Sequence, residues 1–110
     1  MTALNPTIGP VGNASTNVIL LTTLVNPNGE PAILLTFNPP SGDGTATIAA
    51  DGQSVTYVAP SLARPPNCET YYTMTYLVPY SAKDTSNGAA VSGTATITER
   101  SQNGIMTGCP

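Results

Sequence analysis

Histidine and tryptophan are absent from this chain of 110 residues, and phenylalanine occurs once. Without histidine there is no imidazole to serve as a neutral-pH base or as a nitrogen ligand for a metal. Charge is also scarce: 8% of residues are charged and the formal net charge is −3. The three cations, Arg64, Lys83 and Arg100, are scattered. A nucleic-acid partner needs clustered cations that displace counterions, so none is expected. Six carboxylates (Glu30, Asp43, Asp51, Glu69, Asp84 and Glu99) are spread along the chain. Asp43 and Asp51 fall in turn sequences, where aspartate is favoured for local hydrogen bonding. Serine and threonine abound without a base to activate them, and no glycine-rich run precedes a helix. The chain is expected to be non-enzymatic, with no catalytic residue, metal or cofactor.

Long hydrophobic runs are missing too. The longest apolar patches are Val18–Leu21 and Ala32–Leu35, far short of the roughly 18 residues of a membrane span. No membrane association is expected. The opening MTALNPTIGPVGN has neither a basic nor an apolar segment of signal-peptide type, so the expectation is either a chain cut from a longer precursor or one used without export, and the start at Met1 favours a free-standing frame. Cysteine is limited to Cys68 and Cys109, without metal-ligand or CxxC spacing. A bridge between them would close a long loop and contribute about 4 kcal/mol in the chain-entropy model. Two unpaired thiols are the other open reading.

What the sequence does contain is strand and turn. In Gly44–Pro60, Thr45–Ala49 and Ser54–Val58 alternate around Asp51-Gly52, a strong hairpin signal because glycine accepts positive φ. Asn17–Val25 is an expected strand with apolar residues on both faces: Val18, Leu20 and Leu24 on one, Ile19, Leu21 and Val25 on the other. Such a strand is buried on both sides or paired at an interface. Ala32–Phe37 is the next strand. Thr70–Val78 is the strongest, with Tyr72, Met74, Tyr76 and Val78 on one face. Pro79–Ala89 reads as a loop with an Asn87-Gly88 turn. Ala90–Glu99 is the last strand, with Val91, Ala95 and Ile97 inward. No window carries a useful helical period. The expected division is an extended arm over 1–16, with at most a short edge strand near Thr7–Val11, a β domain over 17–100 and a tail over 101–110. Short strands at regular spacing imply an all-β fold, and about seven in this order favour an Ig-like antiparallel β-sandwich.

From Leu24 to Glu99 the chain resembles the bacterial Ig-like and cadherin-like repeats of large surface proteins. The motifs are Asn28-Gly29, Gly44-Thr45-Ala46-Thr47-Ile48 and Asp51-Gly52. They continue with Val55-Thr56-Tyr57-Val58-Ala59-Pro60, Tyr72-Thr73-Met74-Thr75-Tyr76 and Gly93-Thr94-Ala95-Thr96-Ile97-Thr98. The resemblance speaks for fold more than for function, because such modules serve many roles. It departs from the repeats at Asn26–Glu30, which offers one carboxylate where a calcium turn uses several oxygen donors. It also departs in the near-neutral composition, which suits a protein that is secreted or packed into an assembly.

Modules of this kind resemble those that stud phage heads and tails. The resemblance therefore implies a structural protein at the virion surface, a capsid decoration protein whose partners are a viral capsid or tail protein and further copies of itself. The expected assembly contacts are Leu4, Ile8, Val11, Ile19 and Leu21. The alternative is an extracellular adhesin or fibre module at the cell surface, attached to a host-surface glycan, with Tyr71 and Tyr80 as exposed aromatic contacts.

Overall fold

The computed structural model describes residues 1–64 and 70–102. Over these residues the chain is mostly β. The strands are β1 (Thr2–Ala3), β2 (Thr7–Val11), β3 (Thr16–Leu20), β4 (Val25–Asn26), β5 (Ala32–Phe37), β6 (Thr45–Ile48), β7 (Ser54–Val58), β8 (Thr73–Asp84) and β9 (Ala90–Arg100). One helical turn, α1 (Leu21–Leu24), separates β3 from β4. Three sheets form, with orders β1-β4, β2-β9-β8-β5 and β3-β7-β6. All pairings are antiparallel except β2 with β9, which is parallel. One buried cluster takes Leu34, Phe37, Tyr76, Val78, Tyr80, Ala95 and Ile97 from the four-stranded sheet and Ile19, Val55 and Tyr57 from the three-stranded one. Across it the Phe37 and Tyr57 rings meet edge to face, with centroids 6.3 Å apart.

The β6–β7 hairpin forms where alternation and Asp51-Gly52 place it, with Ile48 opposite Val55 and Ala46 opposite Tyr57. Asp51 accepts from the Gln53 amide at 3.0 Å, and Gly52 adopts φ +70°. A methyl group on Gly52 would lie 2.7 Å from the Ile33 Cβ. The tip is therefore docked on β5, and the Leu34 amide donates to the Gly52 carbonyl at 2.8 Å.

The expected strand Asn17–Val25 is interrupted. After Leu20 the chain makes the turn α1, whose i, i+3 spacing brings Leu21 and Leu24 to the same buried side while Thr22 and Thr23 stay exposed. A continuous strand would have sent Leu21 and Leu24 to opposite faces. A register shift between Leu34 and Thr36 does similar work in β5, turning Ala32, Leu34 and Phe37 all inward.

The segment 79–84, expected as loop, is strand. Pro79 sits within β8, between β9 and β5, opposite Thr94. Its carbonyl accepts from the Asn38 amide, just past the end of β5. In an extended residue the N–H and C=O point to the same side, so the donor that proline lacks falls opposite Asn38, where the β5–β8 ladder ends.

Residues 1–16, expected as an extended arm with at most a short edge strand near Thr7–Val11, carry β1 and β2, and β2 is that edge strand. β1 pairs with β4, and β2 runs beside β9 with Thr7 opposite Thr96 and Ile8 opposite Ile97. The Gly9–Pro10 peptide bond is cis. Asn5 anchors the connection: its amide donates to the Tyr80 hydroxyl at 3.1 Å and its Oδ1 accepts from the Thr94 amide at 2.9 Å. Gly93 leaves room for this, since a Cβ there would lie 2.6 Å from the Tyr80 hydroxyl.

Candidate interaction surfaces

Two sheet faces turn away from the core, and their side chains are set by register. In the three-stranded sheet Ile19 lies opposite Val55 and Asn17 opposite Tyr57. Val55 and Tyr57 are fully buried, so the odd-numbered positions of β3 face inward. The even positions, Thr16, Val18 and Leu20, face out. Val18 is 65% exposed and Leu20 55%. Val58 of β7, opposite Thr16, is exposed with them, and Thr45 and Thr47 of β6 complete an uncharged face.

The main-chain groups of β3 divide in the same way. The Ser15 carbonyl accepts from Ala59 and the Leu21 amide donates to Gln53, so the odd positions bond to β7. The N–H and C=O groups of Thr16 and Val18 and the Leu20 N–H then point to the opposite edge, while the Leu20 carbonyl, at the N-cap of α1, accepts the first bond of that turn. Among the described residues no strand pairs with that edge.

The second face belongs to the four-stranded sheet. Leu77 of β8 lies in a row with Thr96 of β9 and Thr7 of β2, flanked by the pairs Thr75–Thr98 and Pro79–Thr94. Leu77 is 59% exposed. A shallow groove of about 570 Å³ adjoins it, lined by Asn5, Thr36, Pro79, Tyr80, Ser81, Ser92, Gly93 and Thr94.

Of the residues expected at an assembly contact, Leu4 is exposed and Ile8 is half-buried. Val11, Ile19 and Leu21 belong to the core. Alternation alone could not choose between the faces of Asn17–Val25; aligning it with Val55 and Tyr57 would have identified Val18 and Leu20. Tyr71 is exposed, with the Arg100 guanidinium 4.4 Å from its ring centre. Tyr80, expected beside it at the surface, is 2% exposed; its hydroxyl donates to the Leu24 carbonyl. Cys68 and Cys109, and any bridge between them, lie outside the described residues.

The buried polar groups read as structural. Glu99 occupies the last inward position of β9 and is fully buried. It accepts from the Tyr76 hydroxyl at 2.8 Å and from the Ala14 amide at 3.2 Å. Burial and the Glu99 hydrogen bond push the Tyr76 phenol well above its ordinary range. The Tyr57 hydroxyl donates to the Asp43 carbonyl at 2.6 Å, and burial, with the charges of Glu99 and Asp43, pushes it up to about 12. Asp84 accepts from the Ser86 hydroxyl at 2.6 Å and its amide at 2.8 Å, which hold its carboxyl below the usual carboxylate range. The Asn26–Glu30 turn is closed by its own bonds, Asn28 amide to Asn26 Oδ1 and Glu30 amide to Pro27 carbonyl. Among the described residues no group of three or more acidic or cysteine side chains is placed to hold a metal.

No family model, no curated protein and no solved structure matches the chain.

Proposed function

We propose that this chain is a non-enzymatic structural module of a virion, a phage capsid decoration protein attached to the particle by its sheet edges and outer faces. In this reading the sheets β3-β7-β6 and β2-β9-β8-β5 are the two layers of an Ig-like sandwich. The observation that carries it is the surface. Leu4, Val18, Leu20, Leu35, Val58, Tyr71, Met74 and Leu77 are all exposed on a chain with 8% charged residues. A freely diffusing protein ordinarily keeps such surface small and charged, whereas a subunit held in an assembly covers it. Many copies on a symmetric shell would each bury modest area and gain by avidity.

With residues 1–16 paired to the sheets, the proposed contact with the particle is made by Leu4, the β2 edge and the neighbouring Leu77 face. The test is co-sedimentation with virions of the virus that encodes the chain. The wild type should pellet with particles, and the double variant Leu4→Asp, Leu77→Lys should stay in the supernatant while remaining folded. A wild-type protein that stays in the supernatant would refute the reading. The exposed Tyr71 ring beside Arg100 favours the second reading, an adhesin or fibre module contacting a host-surface glycan. Glycan-dependent quenching of tyrosine fluorescence, lost in Tyr71→Ala, would support it.

A further inference from the structure

We infer that the free edge of β3 pairs with the same edge of a second copy of this chain, antiparallel, about a two-fold axis through Val18. The edge has the properties that natural sheets avoid leaving open. Its outward groups, the N–H and C=O of Thr16 and Val18 and the N–H of Leu20, have no strand beside them among the described residues; the Leu20 carbonyl caps α1. Charged side chains, proline and bulges commonly guard such edges. None of these interrupts Thr16–Leu20, and no charged side chain occurs before Glu30.

The register follows from which groups point outward. All three free positions are even-numbered, so a two-fold axis at Val18 sets Val18 against Val18, and Thr16 against Leu20 in both directions. The Val18 pair exchanges both bonds, and each Leu20 amide donates to a Thr16 carbonyl while the Leu20 carbonyl stays with the first turn of α1, giving about four main-chain hydrogen bonds. The exposed side chains then become cross-strand neighbours, Val18 with Val18 and Leu20 with Thr16. A shift by one residue would bring bonded groups opposite free ones and lose the ladder. An isologous contact of this kind closes on itself and stops at two copies.

A second copy also suits the edge electrostatically. Two chains of net charge −3 repel each other, yet the β3 edge and the adjoining faces of β7 and β6 carry no charge of either sign. The contact area is at the low end for a specific complex, on the order of 1,000 Å² in total, so the dimer is a weak one. The contact belongs to the isolated chain and is independent of any particle, so its test does not depend on the virion reading.

Sedimentation equilibrium from about 10 µM to about 1 mM should show a monomer–dimer equilibrium for the wild type. Val18→Lys should weaken dimerisation at least tenfold, because two ammonium groups would meet at the axis. Mixing Val18→Lys with Val18→Glu should restore dimers that neither forms alone. Leu77→Lys, on the other sheet, should dimerise as the wild type does. Amide exchange in unmodified protein supplies a second measurement. The Val18 amide should exchange fast when dilute and slow as concentration rises, while the Ile19 amide, bonded to β7, stays slow throughout. A wild type that is monomeric to about 1 mM would overturn the inference. So would a Val18→Lys protein that dimerises unimpaired, a mixture that stays monomeric, or a Val18 amide indifferent to concentration.

Discussion

Removing the Tyr76 hydroxyl tests the account of the buried carboxylate most directly. Glu99 is fully buried and, among the described residues, has two donors, the Tyr76 hydroxyl at 2.8 Å and the Ala14 amide at 3.2 Å. Tyr76→Phe keeps the ring and its packing but strips Oε1 of its partner. A hydrogen bond to a charged group contributes about 1.5–3 kcal/mol, and leaving the buried oxygen unpaired sets the loss near the upper end, about 2–3 kcal/mol. For a domain of this size that lowers Tm by about 10 °C. In a Glu99→Gln background the same substitution should cost about 1 kcal/mol. The glutamine amide can donate to the Tyr76 oxygen while its carbonyl accepts from Ala14, so a neutral bond stands in for the charged one. Urea unfolding of the four proteins, followed by circular dichroism, yields the coupling energy, expected at about 1–2 kcal/mol. A Tyr76→Phe loss under about 0.5 kcal/mol, or an equal loss in both backgrounds, would refute the reasoning.

Gly52→Ala should cost about 2–4 kcal/mol, combining a left-handed backbone with the 2.7 Å approach to Ile33. Gly29→Ala has φ +77° but no atom within 4 Å, so it should lose only about 1 kcal/mol in the same denaturant assay. Stability should also fall in alkali. The folded pKa of Tyr57 lies above the ordinary phenol value of 10.0, at about 12. The unfolded chain therefore loses its proton first, and the contribution present below pH 10 drains away by about 2–3 kcal/mol as the pH approaches 12. Urea midpoints measured against pH, with tyrosinate absorbance, would show a flat profile if the phenol were not protected. At the acid end the sign reverses. The depressed folded pKa of Asp84 adds stability above the ordinary carboxylate value that is lost as the pH falls through the lower folded one. Asp84→Asn should flatten the acid limb of the stability profile, and an unchanged limb would count against the Ser86 bonds as its cause.

The β character of this chain and its main hairpin are local properties, and they are legible residue by residue. Alternation around Val55 and Tyr57, with Gly52 at positive φ, specifies β6, β7 and their turn, because side-chain period and turn chemistry act over a few residues. Ala32–Phe37 and the inward Ala95 and Ile97 follow for the same reason. Other outcomes depend on contacts made far along the chain. Pro79 reads as a strand breaker until the end of β5 leaves its missing donor without a partner to lose. Glu99 is only one of six scattered acids in the sequence, and its partners, Tyr76 and Ala14, come from distant segments. The N-terminal segment reads as an arm until Asn5 meets Tyr80 and Thr94. The candidate surface is the sharpest case. With apolar residues at every position from Val18 to Leu21, the sequence determined that a strand passes there but left its two faces equivalent. A strand has a side-chain period of two, so its inward face is set by the neighbour it pairs with. The β3–β7 register and the turn at Leu21–Leu24 made that choice, burying Ile19 and leaving Val18 and Leu20 outside.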